Sequence, residues 1–339
     1  MLTPSYTITP ELLLNITQIE RFYGQIEELK VPKELELNLT KRNLIQSAFA
    51  SNKIEGNPLT LPEVTNLILD DRVPANRDEK EVVNYFSLLQ QLESLKDREL
   101  DVALTTEMHK SLMTGIDKTA GEIRDVMVVV GKYSGEKGNV TLKVKHSPPF
   151  HKRKEIEQAL TELFVWAQTN KDIPIILLAG MFHHQFVYIH PFEDGNGRVC
   201  RLLTALLFIK RGYHINKYFI LDDYYDIDRH QYSDALHSAD SGDTTAWLTY
   251  FAEGVKYSLQ SAVSKYKNAI KTLAFEDQPT PRERDALRVI ETRHQVTSAD
   301  IVEELKVTRQ QAHALLTGLI AKGLVDKKGI TKRSYYFIK

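Results

Sequence analysis

Twelve consecutive residues, HPFEDGNGRVCR (His190–Arg201), hold most of the side chains in this chain whose types and spacing suit chemistry. His190 offers an imidazole whose ordinary pKa suits proton abstraction near neutrality. Gly195, Asn196 and Gly197 read as a tight turn opening a helix. Free backbone N–H groups at such a turn, aided by the helix dipole, form an anion site. Arg198 and Arg201 are three residues apart, hence neighbours on one face of the first turn. Two guanidiniums over an amide nest suit a polyphosphate, and Asp194 precedes the nest at a distance suited to holding magnesium against bound phosphates. Taken singly, each residue also has a plain role. His190 could be a helix-end cap or core group, Arg198 and Arg201 could be surface ion pairs, and Glu193 and Asp194 could be first-turn carboxylates. Phe192 reads as core in either case. Structural need alone does not account for their conjunction within one turn.

Two helices must position this loop. Upstream, IPIILLAGMFHHQFVYIHPF is the most apolar run, and His183, His184 and Gln185 interrupt it, which marks a buried helix ending near Ile189 rather than a membrane span. Downstream, Val199, Leu202, Leu203, Leu206 and Leu207 give the apolar face of a helix that ends at Gly212. Amphipathic patterns also cover 10–30, 41–55, 77–96, 102–114, 152–169 and 244–275, so the chain reads as mainly α. One stretch breaks that rhythm. A β-branched run (Val126–Val130), a Gly/Ser/Asn-rich tip and a second alternating run (Thr141–Lys145), closed by Pro148 and Pro149, predict a β-hairpin.

A second stretch, SNKIEGN (Ser51–Asn57), raises a charge question. It ends the helix predicted over 41–55, with Gly56 at the stop, and so places Glu55 in the last turn. Carboxylates are disfavoured there because the unpaired carbonyls carry partial negative charge. An exposed Glu would be forgiven at a cost of a few tenths of a kcal/mol. A functional Glu55 needs a cation from elsewhere in the chain.

The chain has 339 residues, 42% hydrophobic and 26% charged, with a net charge of −1. This is an ordinary globular composition of two or three domains, with no global attraction to nucleic acid or membrane. A single cysteine, Cys200, excludes internal disulfides and fits a reducing compartment. The N-terminal residues lack a basic segment followed by an apolar core, so the expected location is the cytoplasm. EDQPTP, after Phe275, reads as a linker. Beyond it, capping boxes at Thr297–Asp300 and Thr308–Gln311, a stripe of Leu315, Leu316, Leu319 and Ile320, and the tail LVDKKGITKRSYYFIK predict a winged helix-turn-helix. Residues 281–339 carry twelve Lys/Arg against seven Asp/Glu. Arg309, Gln310 and Gln311 on the second helix, and Lys327, Lys328, Lys332 and Arg333 on the wing, could meet DNA, and winged helices equally dock proteins.

HPFEDGNGRVCR matches throughout the signature of the Fic (filamentation induced by cyclic AMP) family, His-Pro-Phe-x-Asp/Glu-Gly-Asn-Gly-Arg-x-x-Arg, and the resemblance runs from about residue 10 to about 260. It implies a Fic-type helical core with a β-hairpin flap, followed here by the small winged domain. The expected domains are an N-terminal helical region with the inhibitory helix (1–100), a catalytic core (101–275) and the winged helix (276–339). The resemblance also implies a protein adenylyltransferase that moves AMP from ATP to a Ser, Thr or Tyr hydroxyl of a protein target, itself included, and releases pyrophosphate. His190 would take the hydroxyl proton, and Asp194 would hold Mg2+ bridging the α- and β-phosphates. Asn196, with the amides around Gly195 and Gly197, would bind the α-phosphate. Arg198 would contact the β-phosphate and Arg201 the γ-phosphate. Tyr232, in RHQYSDAL, would line the nucleoside pocket or be core, and Trp247 would be packing. GEIRD (Gly121–Asp125) also looks familial, with Arg124 functional or structural. The hairpin resembles the family's flap, which pairs with a target segment as a strand.

SNKIEG fits the family's inhibitory pattern, Ser/Thr-x-x-x-Glu-Gly/Asn. By that resemblance Glu55, one turn from Ser51, would pair with Arg201, and the missing cation would be the guanidinium that ATP needs. Alternatives sharing these residues are AMP removal by the same site and a DNA-binding regulator whose Fic domain senses nucleotide. A metallohydrolase using His183, His184, His190 and Asp194 is disfavoured, because adjacent histidines face apart and no His-Glu-x-x-His pattern exists. A homodimer is compatible with the sequence.

Overall fold

The structure is a computed structural model that describes residues 5–134, 141–276, 278–329 and 334–338. Contacts divide the chain into two compact units, Met1–Lys265 and Tyr266–Lys339.

In the first unit, α1 (Pro10–Glu27) begins at Thr9, whose side chain accepts from the Leu12 N–H, with Pro10 at the first position. α2 (Lys33–Ile54) follows Pro32, and α3 (Leu61–Leu69) starts from a Thr60–Glu63 capping box. Asn76 caps α4 (Arg77–Gln91), which tightens into a 3-10 turn at Leu92–Leu95. Asp101 caps α5 (Val102–Met113). The hairpin is β1 (Val130–Ser134) and β2 (Thr141–His146), antiparallel. Then come α6 (Arg153–Thr169), α7 (Ile175–Ile189), α8 (Asn196–Lys210), α9 (Asp222–Ile227), α10 (Arg229–Ser238), a 3-10 turn at Ala239–Ser241, and α11 (Thr245–Glu276), whose residues from Tyr266 onward belong to the second unit.

α7 and α8 are the central pair. Every α7 residue but Tyr188 is buried, and the helix is mostly apolar, as one enclosed on every side must be. Its polar residues are satisfied inside. His183 sits between Thr204 Oγ1 (3.1 Å) and the Tyr232 hydroxyl (2.8 Å), and burial pulls its pKa down to about 3. The buried side chains of α1, α2, α4, α5, α6 and α11 enclose the pair in one continuous core. The indole N–H of Trp247 on α11 donates to the Gly180 carbonyl at 2.7 Å, which bears out its packing role.

Five elements differ from expectation. α2 starts at residue 33 rather than 41, because its first two turns lack an apolar stripe yet hold good helix formers after Pro32. The first strand is Val130–Ser134 rather than Val126–Val130, since pairing begins where Val130 meets His146. α3, α9 and α10 are too short to show a clear period. The hairpin tip, 135–140, lies outside the described residues.

The second unit has its own core, built on Ala286, Ile290, Ile301, Ala312, Leu316, Leu319, Val325 and Tyr336. α12 (Pro281–Arg293), α13 (Ser298–Leu305) and α14 (Arg309–Ala321) all start from capping boxes, two of them the predicted ones. β3 (Val325–Lys328) pairs antiparallel with β4 (Tyr335–Ile338), completing the winged helix. Ile320, expected in the apolar stripe, is exposed, and Ala312, which is not in it, is buried. Arg309 and Gln310 are exposed on α14, whereas the Gln311 amide oxygen is committed to the Thr308 N–H. Lys332 and Arg333 lie outside the described residues. No described helix is long and apolar enough to cross a membrane.

α7 and α11 approach closely at Gly180, where an added Cβ would lie 2.7 Å from Leu248 Cδ2 and 3.2 Å from the Phe251 ring. Gly180→Val should therefore destabilise the protein by about 2 kcal/mol through overpacking, read as a lowered denaturation midpoint at unchanged slope.

Candidate active site

α7 ends at His190, which adopts the left-handed conformation (φ 52°, ψ 65°). A non-glycine residue there is held by its surroundings. Arg124 supplies the hold: its Nε donates to the His190 carbonyl (2.6 Å), one Nη to Ile189 (3.2 Å) and the other to Val126 (2.7 Å). Arg124 is thus structural, tying the hairpin's lead-in to the end of α7. The His190 Nδ1 lies 3.2 Å from the Val187 carbonyl. A carbonyl only accepts, so Nδ1 carries the hydrogen and Nε2 keeps its lone pair. Burial, opposed by that hydrogen bond, lowers the His190 pKa to about 4 rather than leaving it near neutrality.

The loop from His190 to α8 is braced internally. Asn196 Oδ1 accepts from the Phe192 N–H (2.9 Å) while its Nδ2 donates to the Phe192 carbonyl (2.8 Å). This side chain clamps the loop, which leaves only its backbone N–H for an anion. Gly195 takes φ 78°, the left-handed turn that aims the first amides of α8 outward. His109 on α5 stacks on Phe192 at 3.7 Å and donates from Nε2 to the Asp194 carbonyl (3.1 Å), its Nδ1 accepting from the Gly121 N–H. Nothing in the sequence pattern distinguished His109 from an ordinary helical histidine.

Asp194 is half exposed, with Arg77 3.4 Å from Oδ2 and Arg198 3.5 Å from Oδ1. Arg198 is only 2% exposed, and its Nε and Nη1 make no hydrogen bond; Glu81 lies 3.6 Å from Nη1. Buried guanidinium donors without acceptors are costly, and an anionic ligand would satisfy them. Arg77 and Glu81, from α4, carried no signal beyond helical charge.

Arg201 is fully engaged. Its Nη2 donates to Glu55 Oε1 (2.7 Å) and to the Ser51 carbonyl (3.0 Å), and its Nε donates to Ser51 Oγ (2.7 Å). Asp222 Oδ1 lies 3.3 Å from Nε as a second counter-ion, while Ser47 donates to the other Asp222 oxygen at 2.6 Å. Burial works against the charge of Arg201, and Glu55, then Tyr232, Tyr85 and Asp222, outweigh it. Asp222 went unnoticed in the sequence because only the tertiary fold brings α9 beneath α8.

Glu55 also lies over the first turn of α8. A Cβ on Gly197 would come within 2.3 Å of Glu55 Oε1, so only glycine admits the carboxylate there. Lys53 pairs with Asp226 (2.7 Å), and Arg229 donates to the Lys53 carbonyl (2.7 Å), fixing the end of α2. Tyr232 is 6% exposed, stacked on Tyr225 at 4.4 Å and bonded to His183, so it is a core residue with an edge on the site. His183 and His184 point away from His190 and Asp194, so those four do not form a metal centre.

His190, Glu55, Gly197 and Arg201 line one cavity of about 750 Å³, with Val130, Gly131 and Lys145 of the hairpin also in its wall. Small-molecule sites run from roughly 300 to 1,000 Å³.

Residues 99–208 match the Fic/DOC family, and residues 278–330 match the MarR family. Protein adenylyltransferase fic-1 of Caenorhabditis elegans is 28% identical over 251 residues, covering 70% of this chain and 45% of the relative. Protein adenylyltransferase Fic of Culex quinquefasciatus is 26% identical over 248 residues, covering 70% and 46%. The chain thus spans about half the length of these curated relatives. A Fic family protein from Desulfovibrio desulfuricans G20 superposes with a TM-score of 0.67 at 24% identity, covering 99% of this chain and 98% of that one. Fic-1 (aa134 - 508) from C. elegans gives 0.58 at 23% identity, covering 77% and 72%.

In an NMR titration, the neutral His190 ring should persist as pH falls through the ordinary imidazole value of about 6.5 and protonate only near 4. The unfolded chain takes up that proton first, so this group's contribution to stability should fall as pH drops below about 6.5. A ring that titrates near 6.5, or carries its hydrogen on Nε2, would contradict the assignment. The two matched segments, the looped α7–α8 site and the C-terminal fold together identify a Fic domain followed by a MarR-type winged helix.

Proposed function

We propose that the protein is an adenylyltransferase that transfers AMP from ATP to a hydroxyl side chain of a protein, and that Glu55 restrains it. The observation that carries this reading is Glu55 Oε1 bonded to Arg201 at 2.7 Å over the first turn of α8. A carboxylate there occupies an anion site made of helix-terminal amides and a buried guanidinium, which is the chemistry a terminal phosphate would use.

With Glu55 withdrawn, Arg201 binds the γ-phosphate. The unsatisfied donors of Arg198 take the β-phosphate side, and the amides of Asn196 and Gly197 receive the α-phosphate, that of Gly195 being held by Asp194 Oδ1 at 2.6 Å. Asp194, half exposed at the rim, fits a cation held against these phosphates. Mg2+ would supply charge neutralisation between the α- and β-phosphates. The target hydroxyl oxygen bonds to the α-phosphorus as the bond to the pyrophosphate oxygen breaks, and the hydroxyl proton passes to His190 Nε2. The amides oppose the charge that develops on the α-phosphoryl oxygens. A neutral imidazole of low pKa is a weak base, so the donors around the phosphates carry much of the rate. The hairpin lines the same cavity through Val130, Gly131 and Lys145, and Val144 on β2 is 50% exposed. The hairpin would orient the target segment by strand pairing.

While Glu55 holds Arg201, a triphosphate enters without its γ-phosphate anchor and its α-phosphate loses in-line alignment. Glu55→Gly should raise AMP incorporation from labelled ATP, self-modification included, by roughly tenfold or more, and His190→Ala should abolish it. Unchanged labelling in Glu55→Gly would remove the restraint, and label retained in His190→Ala would remove the base. Release of AMP from an already modified target by the unaltered chain would instead assign the same residues to the reverse reaction.

A further inference from the structure

Beside the catalytic loop, three imidazoles converge on the carboxylate of Asp240. His146 Nδ1, at the end of β2, lies 2.8 Å from Asp240 Oδ2. His237 Nδ1, on α10, lies 3.3 Å from the same oxygen. His184 Nε2, on α7, lies 2.9 Å from Oδ1. The hydrogens of two of these contacts follow from their surroundings. His184 Nδ1 receives the Gln185 amide N–H at 3.2 Å, so its Nε2–H donates to Asp240. His146 Nε2 lies 3.0 Å from the Tyr188 carbonyl oxygen, which only accepts, so that nitrogen carries the ring hydrogen. A neutral His146 then turns its Nδ1 lone pair onto a carboxylate oxygen, in a pocket where its side chain is 2% exposed. Two acceptors so placed require a cation between or upon them.

We infer that His146, His237 and Asp240 form a binding site for a divalent first-row transition metal ion of the zinc class. One ring nitrogen each of His146 and His237 and one carboxylate oxygen of Asp240 all lie within 4.8 Å of one another. Two imidazoles and a carboxylate are the donor set such ions take, with a further position left for water. The surroundings match the outer shell of a metal centre, in which a ligating histidine donates its other N–H to a backbone carbonyl and the ligating carboxylate is itself hydrogen-bonded. The Tyr188 carbonyl and His184 fill those two roles. At metal–ligand distances of about 2.1 Å, tetrahedral ligands sit roughly 3.4 Å apart. The His237–Asp240 pair is already near that spacing, and the His146–Asp240 pair must open by about half an ångström. His237 and Asp240 are 13% and 23% exposed, so an ion can enter from solvent. The ion would staple the base of the hairpin to α10, with the His146 ring 6.4 Å from that of His190. It is distinct from the magnesium proposed at Asp194, and it does not depend on the adenylyltransferase reading.

The full chain, stripped with chelator and then titrated with zinc chloride by calorimetry, should take up one ion per chain. Cobalt(II) in its place should give the visible absorption of a tetrahedral site. His237→Ala removes the most exposed imidazole and leaves the buried pair intact. It should weaken zinc binding at least tenfold, and His184→Gln should weaken it about tenfold to a hundredfold, as outer-shell partners do. Folding of each variant is checked by circular dichroism. The proposal is overturned if no saturable zinc uptake appears, or if uptake survives both His237→Ala and His146→Ala. It is overturned equally if ring 15N shifts show His146 doubly protonated at neutral pH in excess zinc, since a proton would then be the cation.

Discussion

The site is organised around a buried guanidinium that cannot be left without anions. Arg201 is 5% exposed, and its charge is met by Glu55 above and Asp222 beside it. A charge so enclosed costs several kcal/mol when unpaired, so removing one anion invites another. The two counter-ions differ in kind. Asp222 belongs to the packed interior, fixed by Ser47. Glu55 stands at a helix end with a third of its side chain exposed and can exchange with an incoming anion. Asp222 therefore keeps the guanidinium aimed while its outer partner changes, and the exchange has a low structural cost.

The rest of the unit makes this exchange local. α7 and α8 are enclosed by the core, so the loop between them is held at both ends, and Asn196, His109 and Arg124 fix its path. The left-handed turns at His190 and Gly195 bring an imidazole and the first turn of α8, at Gly197, to the same cavity. Gly197 is the point of closest approach: its missing side chain leaves the space in which Glu55, or a phosphate in its stead, can reach the helix terminus. Base, anion site and restraint are thus set by three helix ends rather than by mobile loops.

Sequence and structure agree where the chemistry is contiguous. HPFEDGNGRVCR presents its helix ends, turn glycines and arginines in one span, and the charge anomaly at Glu55 asked for a cation that proved to be Arg201. The surroundings settle what spacing left open at single residues. Burial holds the His190 pKa well below neutrality, the Asn196 side chain clamps the loop, and of the two roles open to Tyr232 the packed one dominates. Residues that act across the fold were not legible. Asp222, His109 and Arg77 reach the loop from other helices, and nothing in their local spacing sets them apart. The same holds for Asp240, whose partners lie 3, 56 and 94 positions away. The short helices α3, α9 and α10 carry too few turns for a period to emerge, although α9 supplies Asp222.

The most direct measurement is a crystal structure of the Glu55→Gly chain with a non-hydrolysable ATP analogue. The account predicts that the terminal phosphate lies within hydrogen-bond distance of Arg201, in the space the carboxylate held, with the Arg201–Asp222 pair unmoved and the α-phosphate over the first amides of α8. A nucleotide bound elsewhere, or an Arg201 turned away from the phosphates, would contradict it.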